Sequence, residues 1–597
     1  MEECEMQTTE SILHVMQTLG EKGEPVTRLY RQLYNEQLYV SAYSRLYRND
    51  GALTPGATAE TIDGMSLSKV RNIIEAIQTE TYRWTPVRRT YIRRKDGRKR
   101  PLGIPTWSDK LVEEVIRLLL EAYYEPIFSS HSHGYRANRG CHTALGEIVT
   151  HWTGTVWFIE GDIKGCFDHI DHDRLMEILA KRIHDQRLLR FIRYRLESGI
   201  MEDWQYQRTY SGTPQGGVLS PLLANIYLHE LDEYIETKLL PKWNRGKTRR
   251  MNSAYRAVVF QRRQAKSRGD IETFNHHTAA MRQLPSQDMH DPEYRRLKYV
   301  RYADDFLLGY VGTRAEAQAV LHDIEGFLHQ SLKLQVSPQK SRITHAKTQC
   351  AQFLGYGVSV YANVSSKITG LRRSANGRVT LRLPERYVET QSREWEQNGS
   401  PRIDGKALHY SVEEALTYYQ VRYRGVVNYY QYAVDVHELA RLKYAMERSL
   451  VHTLASKLKI SVSQVYRRYS GYVETDQQRY KVLQTRIEDP SSNKKRWFTW
   501  GGIPLRRRYL VNQTLQDHKQ RGYQGSSELV ARLLAHHCEV CGKETQELEG
   551  HHIHRMQDLE RYSKWTPPPY WVFVMTARRR KTLFVCRECH HSIHSKR

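Results

Sequence analysis

Lys298–Tyr310 reads KYVRYADDFLLGY. Apolar, β-branched and aromatic residues flank an Ala-Asp-Asp turn, and the pattern predicts strand, tight turn, strand over Leu297–Val311. A second stretch, FIEGDIKGCFDHIDH at Phe158–His172, has the same grammar: a strand predicted over Thr155–Ile159 delivers Asp162 at its end. Set side by side, the two strands bring Asp162 to Asp304 and Asp305. Clustered carboxylates repel each other unless a divalent cation lies between them. Oxygen-only ligands select Mg²⁺, and a pair of such ions activates an attacking hydroxyl and stabilises a leaving pyrophosphate. Any one of these Asp residues, taken alone, reads as a turn former or helix cap. Asp168, Asp171 and Asp173 do read that way, because they follow a turn and precede a helix. The joint pattern reads as a catalytic centre.

Outward from these stretches, the chain has 597 residues, 91 Lys plus Arg against 66 Asp plus Glu, and a formal charge of +25. That length exceeds one core and predicts three or more domains. A hydrophobic fraction of 40% is enough to build them, which excludes wholesale disorder. Tyr (39) far outnumbers Phe (12), so most of the aromatic surface is amphipathic. The charge points to a polyanion, nucleic acid first and an acidic membrane surface second. No apolar run approaches the length that spans a bilayer. The start, MEECEMQTTE, has neither a signal-peptide core nor an Arg-rich transit composition, so a cytoplasmic location is expected, with an organelle matrix as the alternative.

The organisation follows from local patterning. Residues 1–80 read mostly as helix interrupted by a Gly/Thr/Pro-rich loop at Asn49–Gly64. RRTYIRRKDGRKRPLGIPT (Arg88–Thr106) reads as two cationic strands about an Asp96-Gly97 turn. Leu111–Tyr124 is an amphipathic helix, and Ser220-Pro221 opens another with Ser as cap. Within the segment 81–360, residues 241–300 are rich in Lys and Arg with little apolar periodicity, and read as an exposed basic insertion. Residues 361–410 read as a polar connector. Capping boxes at Ser411/Glu414 and Ser461/Gln464 start helices of the 411–475 region. Residues 476–535 are basic with interleaved aromatics, and a cysteine-rich module occupies 536–597.

YADD between hydrophobic runs resembles the catalytic hairpin of reverse transcriptases. The remaining motifs resemble one branch of them, the group II intron-encoded proteins. They stand in that family's order: TPG (Thr54–Gly56) and TIDG (Thr61–Gly64), RPLGIPT (Arg100–Thr106), HGYRANRGCHTAL (His133–Leu145), TPQGGVLSPLLANIYL (Thr213–Leu228), VSPQKSRI (Val336–Ile343) and FLGY (Phe353–Tyr356). The resemblance implies a multidomain α+β protein: right-hand polymerase fingers and palm, a helical thumb or maturase domain, and a small zinc-containing ββα-metal (HNH) domain. It implies that Asp162, Asp304, Asp305 and the Ile163 carbonyl hold two Mg²⁺. Lys95, Arg100, Gln215 and Lys340 would contact the incoming deoxynucleoside triphosphate, with Arg93 and Arg94 competing for the place of Lys95. Phe167 would stand as a steric gate against a ribose 2′-hydroxyl.

ALTYYQVRYRGVVNYYQYA (Ala415–Ala433) alternates Tyr with Arg. Tyr stacks on a base while Arg reaches phosphate. A helical core built from large aromatics is the other reading of the same letters. The resemblance to the maturase domain implies intron RNA contact, with Tyr423, Arg424, Tyr429, Tyr430, Arg467 and Arg468 as candidates. KKRWFTW supplies Lys494, Lys495, Arg496 and Trp497 as candidates for DNA contact.

Cys538-x2-Cys541 and Cys586-x2-Cys589 are separated by 44 residues and have the spacing of a tetrahedral Zn²⁺ site. His590 and His594 are four apart, hence on one helix face, and with His551 they would hold a further divalent cation. This part resembles the HNH endonucleases, and the resemblance implies that the first His of the His551-His552 pair binds metal and that His552 acts as general base on water. The family's middle Asn has no match. Lys581 or Thr582 lies where it would fall, and a purely structural zinc domain is the bland reading. The combined expectation is a protein that binds group II intron RNA, assists splicing, nicks one strand of a double-stranded DNA target and copies the intron from that nick. The rival expectation is an RNA-folding splicing cofactor whose enzymatic activities are dispensable.

Overall fold

The computed structural model describes residues 8–49, 51–93, 97, 99–202, 205–207, 209, 211–213, 216–284, 286–288, 291–361, 377–397, 399–488, 495–509, 528–562 and 567–595. Lys95, Gln215 and Lys494 lie outside them.

The YADD stretch folds as the sequence predicts, into strands Arg296–Tyr302 and Asp305–Val311. They form one side of a four-stranded antiparallel sheet, followed by Trp157–Asp162 and Arg342–His345. Alternate side chains enter two different cores. Ile159, Tyr299, Phe306, Leu308 and Tyr310 join a core with the helices Trp107–Tyr124 and Ser220–Tyr234. Phe158, Val300 and Leu307 join a second core with the helices Val412–Tyr430 and Leu439–Leu458. Burial on both faces is why these strands read as unbroken apolar runs.

The cationic hairpin pairs Val87–Arg93 with Lys99–Ile104. Its four-stranded sheet continues through Ile200–Glu202 and Gln205–Gln207. Helix Ser220–Tyr234 begins one residue earlier than its Ser-Pro signal implies. Leu219 is the cap residue and Ser220 lies in the first turn beside Pro221. The basic insertion is a helical hairpin, Ser253–Ser267 and Ile271–Gln283, in which Ala265 is the one buried residue. Residues 296–300 belong to the central sheet, because Arg296 pairs with Val311.

The segment expected as a polar connector contributes strand Val379–Arg382, paired with Tyr356–Val360, and buries Leu381, Val388, Trp395 and Ala407 in the second core. Both capping boxes form: Ser411 Oγ accepts from Glu414 N at 3.2 Å, and Ser461 Oγ accepts from Gln464 N at 3.3 Å. Beyond them, Ser470–Thr475, Gln478–Glu488 and Lys495–Gly501 form an antiparallel sheet. Its first turn is Asp476-Gln477, both at positive φ, as a two-residue hairpin requires. The compositional boundary at 475/476 therefore falls inside one hairpin. Trp500 and Leu483 seat this sheet in the second core, and Gln420 bonds both backbone groups of Gly501.

The C-terminal module pairs Leu548–His552 with Thr582–Cys586 and continues into helix Arg587–Ser595. It shares the first core, and Gly550 bridges to Met65 in the N-terminal block. Among the described residues, no helix is long and apolar enough to cross a membrane.

Candidate active sites

The first site lies at the end of the central sheet. Strand Trp157–Asp162 is buried along most of its length and places Asp162 directly opposite Asp305. Ala303 and Asp304 form the two-residue turn, with Ala303 at φ +56°. Ile163 N donates to Asp304 O at 3.2 Å, tying the two motifs together at the carboxylates. Burial and the neighbouring Asp162 and Asp304 carboxylates push Asp305 up to about 7. Burial and the Asp162 charge also raise Asp304. Lys340 Nζ lies 2.9 Å from Asp162 Oδ1 and offsets part of this repulsion. Three crowded carboxylates, with Asp304 and Asp305 driven upward, fit a divalent cation, which relieves that repulsion.

Packing fixes this geometry. Gly161 lies under the Phe306 ring, where a Cβ would come within 2.0 Å of Cζ. Gly134 of the HGYR motif passes so close to the turn that its Cβ would lie 2.4 Å from Ala303 N. Arg301, two residues before the turn, is fully buried against Asp232, with Nε–Oδ1 at 2.8 Å and Nη2–Oδ2 at 2.5 Å. Its Nη1 donates to Ala303 O at 2.9 Å, and its Nη2 also donates to Ser132 Oγ at 2.9 Å.

Of the remaining nucleotide candidates, Arg100 and Phe167 are among the described residues. Arg100 stands exposed on its strand, and its charge favours the ionised form of Asp304. Phe167 is half-buried and meets the Tyr135 ring edge-on at 6.2 Å. Gly216, at φ +111°, rests against Gly103 O, so the loop at Gly216–Val218 lies on the RPLGIPT strand. Buried Glu113 holds that loop through Val218 N at 2.6 Å and is ion-paired with Arg195.

The second site is in the C-terminal module. The thiol sulfurs of Cys538, Cys541, Cys586 and Cys589 all lie within 4.8 Å of one another, the clustering a tetrahedral ion needs. Burial raises the Cys538 thiol, but backbone N–H donors from Cys541, Cys586 and Val540 outweigh it and bring the group down to about 7.

Beside it, His551, His590 and His594 converge as the spacing predicts, and their nitrogens lie within 4.8 Å of one another together with an oxygen of Asp63. His551 is fully buried, yet neither ring nitrogen completes a hydrogen bond. Orphaned imidazole nitrogens facing two further imidazoles fit a cation site. His590 Nδ1 is held by Glu549 Oε2 at 2.6 Å, which turns Nε2 inward to 3.2 Å from His594 Nε2. His552 faces the other way. Its Nδ1 bonds Gly550 O at 3.0 Å, its Nε2 meets the Tyr43 hydroxyl at 3.0 Å, and burial pushes it down to about 4. Thr582 pairs with His552, and Ile553 N donates to Lys581 O at 3.0 Å, bracing the loop that the missing Asn would hold.

Comparison with known proteins matches the segments that carry both clusters. The family models for reverse transcriptase (RNA-dependent DNA polymerase), type II intron maturase and AI2M/AI1M-like HNH endonuclease match residues 92–358, 382–497 and 538–590. The chain is 37% identical to the group II intron-encoded protein LtrA of Lactococcus lactis subsp. cremoris, over 96% of both chains. The chain belongs to the group II intron-encoded proteins. Similar too are a 91 kDa protein in the cob intron of Schizosaccharomyces pombe (33%, 95% of this chain and 70% of that one) and YkfC of Escherichia coli (29%, 54% and 80%). As a member of the family this protein is a reverse transcriptase and maturase with an HNH nuclease domain, and the reading as a mainly non-enzymatic cofactor is not favoured.

The maturase region separates the expected RNA contacts into two sets. Tyr423 and Tyr430 are buried in the second core, and the Tyr429 hydroxyl donates to Leu354 O at 2.6 Å. Their rings hold helix Val412–Tyr430 against its neighbours, so the two buried faces are closed to a base. Arg424, Arg467 and Arg468 are exposed. On the sheet edge, Lys495, Arg496 and Trp497 are exposed while Trp500 is fully buried. Sequence reasoning missed Asp63, Tyr43 and Glu549 around the histidine cluster. Glu549 lies two residues before His551, a local signal that was available. Asp63 and Tyr43 are about five hundred residues away in the chain, and no local pattern announces them.

Proposed function

We propose that this group II intron-encoded protein copies RNA into DNA at the Asp162–Asp304–Asp305 cluster and nicks its DNA target at the His551–His590–His594 cluster. The observation that carries the first assignment is the register that sets Asp162 opposite Asp305 at the end of a doubly buried sheet. Asp162, Asp304, Asp305 and the Ile163 carbonyl would hold two Mg²⁺, which when bound supply positive charge to the attacking 3′-hydroxyl and the leaving pyrophosphate. Arg100 and Lys340, with Lys95 and Gln215, bind the triphosphate of the incoming nucleotide, and Phe167 closes the sugar pocket against a 2′-hydroxyl. Residues 81–360 correspond to fingers and palm, with 241–300 as a basic insertion. The helices that end at Tyr469 are the thumb, and the sheet that starts at Ser470 opens the DNA-binding segment. Residues 536–597 form a ββα-metal nuclease around a structural Zn²⁺ on the four cysteines.

Intron RNA would lie along Arg424, Arg467 and Arg468, and duplex DNA against Lys494, Lys495, Arg496 and Trp497. His552 takes the proton of the attacking water once its lone pair is accessible. The nicked strand then primes copying of the intron, which one chain carrying both activities supports. The work takes place in the cytoplasm of a bacterium or in an organelle matrix. Asp304→Ala tests the polymerase assignment: primer extension on an RNA template is lost while nicking persists. Unchanged extension by Asp304→Ala would falsify it.

A further inference from the structure

We propose that Asp63, from the polymerase's N-terminal block, is a fourth protein ligand of the nuclease cation, and that this shared site holds the HNH module in a closed, docked state. The proposal rests on the assignment of His551, His590 and His594 as cation ligands. Asp63 directs its whole carboxylate into their cluster. Its Oδ2 is 2.8 Å from His594 Nε2, and its Oδ1 is 3.3 Å from His551 Nδ1 and 3.5 Å from His590 Nε2. Oδ1 also accepts from the backbone N–H of His552 at 2.8 Å.

The backbone brings it there. Gly64 N donates to Gly550 O at 3.0 Å, and Gly550 N donates to Met65 O at 2.8 Å. Gly64 sits at φ +79°, so the chain turns at this point without a Cβ penalty. A shared apolar core, with Leu529, Val530 and Leu583 beside Tyr43 and Met65, backs the contact.

Two consequences follow from coordination chemistry. A catalytic tetrahedral site keeps one position open for water or substrate, and a fourth protein ligand closes it. The base is closed as well. His552 Nδ1–H donates to Gly550 O, which leaves the Nε2 lone pair to accept a proton, and the Tyr43 hydroxyl occupies that lone pair. His552 is 5% exposed, so neither water nor a DNA phosphate reaches it in this arrangement. Nicking therefore requires the module to leave the surface formed by Tyr43 and Asp63–Met65. Because that surface belongs to the polymerase's own N-terminal block, the docked state couples the nuclease to whatever that block is bound to.

The test uses the full chain with Asp304→Ala and Asp305→Ala added, so that the polymerase carboxylates do not compete for the probe, Mn²⁺. Titration calorimetry and hydrogen–deuterium exchange are read together. In this background Mn²⁺ slows exchange in both 60–66 and 548–553. Asp63→Asn lowers Mn²⁺ affinity by about tenfold or more and removes the slowing at 60–66 alone. His594→Ala removes it at both. If Mn²⁺ slows only 548–553 and Asp63→Asn binds it normally, Asp63 is not a ligand, while the three-histidine site stands. If neither segment responds, the three-histidine assignment fails and takes the proposal with it. In a separate assay, Tyr43→Phe, with the polymerase carboxylates intact, raises nicking of a duplex several-fold. Nicking at the wild-type rate overturns the closed state.

Discussion

Asp232 is the residue whose loss should expose how the polymerase centre is held. Asp232 and Arg301 are both fully buried, joined by two short contacts, and Arg301 in turn grips the Ala303 carbonyl in the catalytic turn. Asp232→Ala leaves a guanidinium in the core with no counter-charge. Removing one partner of a buried pair costs about 3–5 kcal/mol, because the survivor's desolvation goes uncompensated. At about 1.4 kcal/mol per factor of ten, local opening of the hairpin should become roughly a hundred to a few thousand times more populated. The assay is hydrogen–deuterium exchange of peptides covering 299–308, with primer extension measured alongside. Exchange should accelerate by about that factor, and extension should fall with it. The double variant Asp232→Leu with Arg301→Met removes both charges and should regain most of the protection. It should not regain full extension, since Ala303 O has lost its donor. Exchange within about threefold of wild type in Asp232→Ala, with normal extension, would refute the idea that this pair holds the turn.

Other outcomes follow from the same packing. Gly161→Ala places a Cβ 2.0 Å from the Phe306 ring and should abolish extension by moving Asp162, while duplex nicking is retained. Trp500→Ala should destabilise the maturase region by about 3–5 kcal/mol in thermal unfolding. Trp497→Ala, at a half-exposed ring, should leave stability unchanged and weaken DNA binding in a filter assay. Burial opposes ionisation of Glu147, but hydrogen bonds from His131 and His133 outweigh it and hold it near 2. Its stabilisation of the His131–Gly134 loop is thus complete above the ordinary glutamate range and lost as pH falls from there through about 2. Glu147→Gln should flatten the acid limb of a pH–stability curve over that window.

The sequence by itself determined the Ala303-Asp304 hairpin, the cationic strands, both capping boxes and the clustering of four cysteines and three histidines. The hairpin, strands and caps are written in patterns a few residues long, where strand alternation or turn chemistry decides the geometry, and the metal-ligand types are legible as short Cys-x2-Cys and His-x3-His pairs within one small module. The motif order carried the family as well. The maturase tyrosines were illegible because Tyr suits a core and a base-stacking surface equally. Only the packing of helix Val412–Tyr430 decided that Tyr423 faces inward and Arg424 outward. The connector read as polar because its few buried residues, such as Trp395 and Val388, are spread thinly among charges. Asp63 shows the limit most sharply. Its turn motif predicts a loop and nothing more, and its meeting with His551, 488 residues further along the chain, is decided by how two apolar surfaces merge into one core. Local chemistry is set by neighbours in the chain, but a ligand set drawn from both ends of it is set by tertiary packing.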